Sequence, residues 1–163
     1  MEIRLLHSLD TEEYQNVRLE ALQNNPESFA ASYEEEIEHS LEYYKFRLNE
    51  SCTLGAFDNN KLIGVVSLVK ESKLKLKHKA SIFAVYVSPE KRGLKIGKRL
   101  MIEAIKKAKD MEGIEQINLS VAVSNESAKK LYTSLGFEVF GREKRALKIN
   151  HIYFDEEYMV LFL

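Results

Sequence analysis

The stretch VYVSPEKRGLKIGKRLMIEAI, residues 85–105, restricts the fold more than any other part of the chain. Its first residues are apolar and strand-like, and the run is broken at Ser88-Pro89. From Gly97 to about Met111 the sequence predicts a helix, because apolar residues recur at helical spacing in the stripe Ile96, Leu100, Ala104, Ile105 and Ala108. A strand followed so closely by an amphipathic helix predicts an α/β fold, in which helices pack on a sheet.

The loop between this strand and this helix has the composition of an anion-binding site. A helix N-terminus presents free N–H groups and a partial positive charge, and glycines let the backbone approach a phosphate closely. Gly93 and Gly97 bracket Leu94, Lys95 and Ile96, so several consecutive N–H groups are predicted to face one pyrophosphate. The cationic side chains around them are Lys91, Arg92, Lys95, Lys98 and Arg99. From the loop alone a solvated basic turn is an equally good interpretation, because neither the Walker nor the dinucleotide glycine pattern is present.

Bulk properties narrow the class of partner. The 163 residues carry a formal net charge of −1, so no overall field favours nucleic acid or an anionic membrane. No apolar run approaches the roughly 20 residues of a membrane helix, and we expect no signal peptide at the N-terminus. Cys52 is the only cysteine and no histidines or cysteines have metal-ligand spacing, so we expect a reducing cytoplasm and no structural metal.

The remaining periodicities predict the element order β-α-α-β-β-β-α-β-α-β-β, a mixed sheet with helices on its faces. The second helix is predicted over SYEEEIEHSLEYYKFRLNE, with one face made by Ile37, Leu41, Tyr44 and Leu48. Asn59-Asn60 is predicted to form the turn of a hairpin. The strand before the loop is predicted to begin early, at KLKLKHK, and to run through Val87.

A second segment, NLSVAVSNESAKKLYTSLGFEVFG, supplies another sequence pattern, which is more specific than the loop alone. It matches the pattern N-x-x-A-x-x-L-Y-x-x-x-G-F at Asn125, Ala128, Leu131, Tyr132, Gly136 and Phe137. The loop matches [QR]-x-x-G-x-[GA] from Arg92 to Gly97, except that Lys95 stands where the pattern has its first glycine. Together the two segments resemble the GNAT superfamily of N-acetyltransferases, most strongly over residues 81–141.

The resemblance implies a fold and a co-substrate. The chain is expected to form one GNAT-type α/β domain over residues 1–163, with a mixed central sheet of about seven strands and helices on both faces. The sheet should splay between SIFAVYV and INLSVAV and hold acetyl-CoA in the cleft. The implied cofactor-binding residues are Val85, Val87, Arg92, Gly93, Leu94, Lys95, Ile96, Gly97, Lys98 and Asn125. We expect Lys95 to lie inside the first helical turn, where an L-residue is tolerated without difficulty.

The resemblance also implies the reaction, which is transfer of the acetyl group to a primary amine of a small molecule, protein or peptide by direct attack. The amine must lose a proton, the thioester carbonyl must be polarised, and the departing thiolate must be protonated. In the family the tyrosine at the position of Tyr132 is the general acid, whereas without the motif a core tyrosine would be the better interpretation. Val85 and Val87 would act through their backbone groups. Asn125 would cap a helix and contact the pantetheine arm.

The sequence does not identify the general base, because the strand before the loop carries no carboxylate. The alternatives are a water chain or one of Glu34, Glu35, Glu36, His151 and Asp155. The acidic segments EEEIE and DEE belong to elements that flank the acceptor site in the GNAT fold, so they predict an acidic mouth that attracts a cationic amine. A solvated acidic helix face is the alternative interpretation.

Two other function classes stay open. A catalytically idle CoA-binding or regulatory module on the same fold would share the loop but would not need a thiolate acid at Tyr132. A nucleotide-binding α/β domain is disfavoured by the missing glycine patterns. KLKLKHK lacks the aromatic residues of a single-strand nucleic-acid platform, so we expect no nucleic acid as a partner. The net charge and the lack of a long apolar run lead us to expect no membrane partner. The resemblance leaves room for a homodimer.

Overall fold

Seven strands and five α-helices are distributed along the chain, and the computed structural model describes all 163 residues. The strands are β1 (Glu2–Leu5), β2 (Cys52–Asp58), β3 (Lys61–Lys70), β4 (Lys79–Val87), β5 (Gln116–Ala122), β6 (Glu138–Ile149) and β7 (Ile152–Phe162). The helices are α1 (Thr11–Asn24), α2 (Tyr33–Glu36), α3 (Leu41–Glu50), α4 (Ile96–Asp110) and α5 (Glu126–Ser134). None of the helices is both long and apolar enough to span a membrane. The predicted order of elements is confirmed, except that the predicted second helix is two helices.

The strands form one mixed sheet in the order β1-β2-β3-β4-β5-β7-β6. All neighbouring strands are antiparallel except β4 and β5, which are parallel. These two strands are paired only over the three residue pairs from Lys79↔Gln116 to Ser81↔Asn118. Beyond these pairs β4 and β5 are no longer paired with each other, so the predicted splay of the sheet at this place is confirmed.

A bulge in β4 accompanies the splay. The partners of β3 change from Tyr86, opposite Val65, to Phe83, opposite Ser67, so β4 has an extra residue in this interval. Ala84 lies there with a φ of 54°, a left-handed conformation that L-residues seldom adopt. Because a bulge bends its strand and increases its twist, we attribute the divergence of β4 from β5 to this residue.

Helices cover the sheet on both faces, as predicted. On one face the apolar side chains of α1 and α3, among them Tyr14 and Leu48, form a core with Val65. On the other face α4 and α5 contribute side chains such as Leu100 to a larger core that includes Val66. Val65 and Val66 are adjacent on β3 and belong to different cores because successive strand residues point to opposite faces.

The predicted hairpin turn at Asn59-Asn60 is confirmed between β2 and β3. Both residues have positive φ angles, 49° and 64°. Two positive φ angles are what a type I′ turn requires, and this turn is favoured because its twist matches that of the two strands it joins. Asparagine adopts the left-handed conformation more readily than most residues, so the sequence itself selects the turn.

The prediction of one continuous second helix was wrong. Ser40 accepts a hydrogen bond from the backbone N–H of Tyr43 at 3.3 Å and caps a new helix, so α2 and α3 are separate. Ile37 and Leu41, which the helical spacing placed on the buried face, are exposed, whereas Tyr44 and Leu48 are buried. A serine that caps competes with a continuing helix, and its position here decides where the new helix begins.

The prediction that the strand before the loop begins at KLKLKHK was also wrong. β4 begins at Lys79, and residues 71–78 form turns without strand structure. Neighbouring β3 ends at Lys70, which pairs with Ala80, so the earlier residues have no strand to pair with. Leu74 in this segment is 82% exposed, so no core holds it either.

Candidate active site

The loop between β4 and α4 turns sharply through two left-handed residues. Gly93 has a φ of 80°, and Lys95, at the N-cap of α4, has a φ of 60° and a ψ of 18°. The expectation that Lys95 lies inside the first helical turn was therefore wrong. A left-handed residue followed by the right-handed residue Ile96 points consecutive N–H groups toward one side, and this arrangement forms an anion-binding concavity.

Of the five cations around this loop, Lys95 and Lys98 are free, Lys91 and Arg92 are engaged, and Arg99 contacts only Met1 Sδ, at 3.9 Å. Lys91 pairs with Asp58 at 2.7 Å, and Arg92 donates to the carbonyl of Val87 at 3.0 Å and to Asn25 Oδ1 at 2.7 Å. The exposed side chains of Lys95 and Lys98 have no partner within the protein. The side chain of Ile96 is buried in the core and that of Leu94 is exposed, so any contribution of these two to anion binding is through the backbone.

Gly97, the first residue after Ile96 in α4, leaves little free space beside it. A Cβ atom at this position would lie 3.7 Å from Leu131 Cδ2 and 3.8 Å from Val87 Cγ2. These are ordinary van der Waals distances, so the fold tolerates one methyl group here. A larger β-branched side chain would extend toward the gap between β4 and α5.

A cavity of about 670 Å³ opens where β4 and β5 separate. Its lining is mostly apolar and includes Val85 and the residues around the Ala84 bulge on one side, and the end of β5 on the other. Asn125 and Tyr132 contribute to the wall from α5 and its cap, and the far end is formed by residues of α1, α2 and α3. Val87 lies beyond the cavity, beside Gly97.

Tyr132 is 6% exposed, and it lies in the cavity wall. Its ring packs against Phe137 with the ring centroids 6.1 Å apart, and its phenol has no hydrogen-bond partner within the protein. Burial raises the pKa of this phenol above its ordinary value, so Tyr132 keeps its proton across the neutral range. Asn125 caps α5 as predicted, because its Oδ1 accepts from the N–H of Ala128 at 3.2 Å.

Among the predicted bases, only Glu36 lies in the cavity wall. Glu35 bonds the hydroxyl and the N–H of Ser32 in a capping box, and Asp155 accepts from Arg142 at 2.8 Å and from the N–H of Arg145 at 2.9 Å. His151 and Glu34 are exposed outside the cavity. The carboxylate of Glu36 itself is held by two arginines, so none of these groups is free to act beside the cavity.

Sequence reasoning placed Glu156 in the acidic segment DEE but missed it as a candidate base; it lines the cavity from β7. Burial and the neighbouring charge of Glu143 raise the pKa of Glu156, and a hydrogen bond with Ser120 acts in the opposite direction. Its neighbour Glu157 points to the other face of the sheet and contacts Lys129 at 3.2 Å. Strand alternation within DEE could have separated these two carboxylates, but only once the pairing of β7 with β5 was known.

An ion cluster of Arg18, Glu36 and Arg47 forms the far wall of the cavity. The Oε1 atom of Glu36 accepts from Arg18 Nη2 at 3.1 Å and from Arg47 Nη1 at 2.8 Å. Burial alone would raise the pKa of Glu36, but the two guanidinium groups outweigh it and lower the pKa. Glu50, at the end of α3, also lines the cavity, so the far wall carries two arginines and two glutamates. Of the residues in DEE only Glu156 lies in the lining, and the acidic mouth stays a prediction.

Comparison with known proteins gives one family and one fold. Residues 9–137 match the profile of the Acetyltransferase (GNAT) family. An acetyltransferase of the GNAT family from Streptococcus pneumoniae superposes with a TM-score of 0.88 at 22% identity, with 99% of each chain covered. A phosphinothricin acetyltransferase from Sinorhizobium meliloti, solved in complex with AcCoA, gives 0.84 at 22% identity over 99% of this chain and 88% of that one.

Among curated relatives, the mycothiol acetyltransferase of Brachybacterium faecium is 27% identical over 136 residues, which is 83% of this chain. That match covers 40% of the relative, so the chain spans about two fifths of the relative's length. A second mycothiol acetyltransferase, from Paenarthrobacter aurescens, is 41% identical over 56 residues. At these identities and coverages the relatives leave the acceptor undefined.

Proposed function

Since this chain belongs to the acetyltransferase (GNAT) family, we propose that it transfers an acetyl group from acetyl-CoA to a primary amine of a small molecule, protein or peptide. One observation carries the proposal: the splay between β4 and β5 opens a cavity whose wall includes Tyr132, and the glycine loop follows at the end of β4, where Gly97 lies beside Val87. The reaction needs a diphosphate site, an extended cleft and a proton donor, and these features would supply them.

The loop residues would hold the diphosphate of the cofactor. The N–H groups from Gly93 to Lys98 lie at the N-terminus of α4, and Lys95 and Lys98 supply unpaired positive charge. Arg92 and Ile96 support the loop, since Arg92 is bonded to Val87 and Asn25 and Ile96 is buried in the core. The backbone groups of Val85 and Val87, beside the unpaired edge of β4, would bind the pantetheine arm, with Asn125 opposite them.

Replacing Gly97 by valine should weaken acetyl-CoA binding about tenfold, or about 1.4 kcal/mol, because its methyl groups would enter the gap between Val87 and Leu131. The domain should remain folded, since the Cβ alone makes ordinary contacts. Gly97→Ala, which adds only that Cβ, is the matched control and should bind more tightly than the valine variant. Isothermal titration measures both. Wild-type affinity in a folded Gly97→Val protein would contradict the loop assignment.

The acetyl thioester supplies an acyl group that a neutral amine can attack, and the protein must handle the protons. Three carboxylates line the cavity: Glu36 is paired with two arginines, Glu50 is exposed, and Glu156 is partly buried with a raised pKa. We therefore assign to Glu156 the role of taking the proton of the amine. Tyr132, also in the cavity wall, keeps its proton and would donate it to the departing thiolate. One acid and one base in the same cavity are the requirement for general acid–base catalysis.

Replacing Glu156 by glutamine should lower kcat/KM about 100-fold, because the base must be ionised and the amide cannot accept the proton. Since a base works deprotonated, activity should rise with pH as Glu156 loses its proton, above the ordinary carboxyl range. This rise of the pH–rate profile, its acid limb, should be absent in Glu156→Gln. Glu157→Gln, which changes the adjacent carboxylate on the other face, should keep both the rate and the limb. Identical pH–rate profiles for Glu156→Gln and wild type would assign the base role to water.

A turnover screen tests the function as a whole. Release of CoA from acetyl-CoA is measured with peptides bearing free N-termini, polyamines, aminoglycosides and amino acids. An acetyltransferase turns over at least one class, whereas an idle CoA-binding module binds acetyl-CoA in a titration and turns over none. The buried, protonated phenol of Tyr132 in the cavity favours the enzyme, because an idle module has no use for it. A cytoplasmic setting stays a prediction.

A further inference from the structure

The Arg18–Glu36–Arg47 cluster contains more positive than negative charge. Two guanidinium groups share one carboxylate, and the side chain of Arg18 is only 7% exposed. The three groups come from α1, the end of α2 and α3, and Arg18 and Arg47 also lie near the rings of Phe29 and Tyr43, at 5.1 Å and 5.7 Å from the ring centroids. These contacts order both guanidinium groups in the wall of the cavity.

Several hydrogen-bond donors of the cluster remain unused. The carboxylate of Glu36 accepts hydrogen bonds from Nε and Nη2 of Arg18 and from Nη1 of Arg47. This leaves Arg18 Nη1 and the Nε and Nη2 groups of Arg47 without an acceptor in the protein. None of these unused nitrogens is fully buried, and the side chain of Arg47 is 30% exposed, so the free donors in the cavity wall are accessible to a ligand.

We propose that the acceptor amine carries a carboxylate, which binds Arg47 and Arg18, while its amine faces Glu156 within the same cavity. The inference rests on the proposed function, since it assigns the substrate class of that site. Within the three-residue cluster one positive charge exceeds the single carboxylate, which matches a monoanion such as a carboxylate; Glu50, the other carboxylate of this wall, is exposed and forms no ion pair with either arginine. The fork of arginine donors fits the two oxygens of a carboxylate. Phe29, Tyr43 and Phe46 form an apolar wall nearby, which suits the side chain of an amino acid.

The test compares each of the twenty amino acids with its own primary amide as acceptor for the wild-type enzyme. We expect the best acid to exceed its amide about 10- to 100-fold in kcat/KM, the range for hydrogen bonds to a charged group. The amine of an amino amide is less basic than that of the acid, so more of it is neutral at pH 7. A preference for the acid therefore cannot come from protonation of the amine.

Arg47→Gln should abolish this preference by lowering kcat/KM for the acid and leaving that for the amide nearly unchanged. Lys45→Gln removes the same charge from the exposed side of the same helix, outside the cavity, and should keep the preference. If Arg47→Gln does not fold, the acid and amide comparison in the wild type decides the question alone. A titration with acetyl-CoA verifies that the cofactor site of each variant is intact.

Binding of products separates this proposal from the proposed function. N-acetyl amino acids keep the carboxylate but have no reactive amine, and wild type should bind them more tightly than their amides, with the difference lost in Arg47→Gln. Equal acetylation of acids and amides, or equal binding of the two product series, overturns the carboxylate proposal and leaves the transferase standing. Preferential binding of the N-acetyl acids with no turnover of any amine supports the carboxylate subsite and overturns the transferase.

Discussion

Tyr132→Phe is expected to lower kcat about 10²–10³-fold while the protein stays folded. The substitution keeps the ring and its contact with Phe137, and deletes only the phenolic proton. The phenol has no partner within the protein, so no internal hydrogen bond is lost. Because the donor acts mainly as the thiolate develops, KM for acetyl-CoA should change little. Rapid-mixing kinetics under conditions where chemistry limits the rate measure this.

Tyr44→Phe is the informative contrast for this prediction. Tyr44 is also buried, but its hydroxyl donates to the backbone carbonyl of Glu36 at 2.7 Å and lies outside the cavity. Its loss should lower stability by about 1–3 kcal/mol with little effect on kcat. A folded Tyr132→Phe enzyme with wild-type kcat would remove Tyr132 from the mechanism and make water the proton donor, without affecting the fold assignment.

Glu36→Gln is expected to destabilise the protein by about 3–5 kcal/mol, because it leaves two guanidinium groups facing each other without their shared anion. The pKa of Glu36 is lowered in the folded state, so its contribution is complete at pH 7 and above the pKa of an unfolded glutamate. It is lost as the pH falls through the lower, folded pKa. Urea unfolding at pH 7 and at acid pH measures both statements.

Glu34→Gln is the matched control for Glu36→Gln, because it removes the same charge from the same helix at an exposed position. It should change the free energy of unfolding by less than about 0.5 kcal/mol. The difference in the free energy of unfolding between Glu36→Gln and wild type should become smaller at acid pH, where the wild-type carboxylate is neutralised as well. A difference that stays constant with pH would mean that packing, and not charge, makes Glu36 important.

Local patterns predicted the parts of the fold that local physics determines. The helical stripe of α4, the Asn59-Asn60 turn and the Asn125 cap each depend on residues within a few positions of one another, and each is confirmed. The break before Leu41 and the start of β4 at Lys79 were missed. They depend on a capping serine in competition with a helix, and on where the neighbouring strand ends, and periodicity reports neither.

The candidate site divides in the same way. The family resemblance implied that Val85, Asn125 and Tyr132 belong to one site, and these residues line one cavity, although their chemical roles remain predictions. Glu156 was missed because its face depends on the register of β7 against β5. The left-handed conformation of Lys95 was missed because a lysine seldom adopts a positive φ, and only the path of the loop requires it here.

The sheet consists of two blades, β1 to β4 and β5 to β7, which are joined only by three residue pairs at one end of β4 and β5. Each blade has an inward edge whose backbone donors and acceptors are unmatched beyond Ser81 and Asn118. Elsewhere such an edge invites strand addition and aggregation, but here helices on both faces and the opposite blade restrict its access to a slot. In the proposed function, the amide groups of the pantetheine arm would form hydrogen bonds with the unpaired edges of both blades. A ligand bound in the slot would then connect the two blades through hydrogen bonds, so that binding would also make the sheet more rigid.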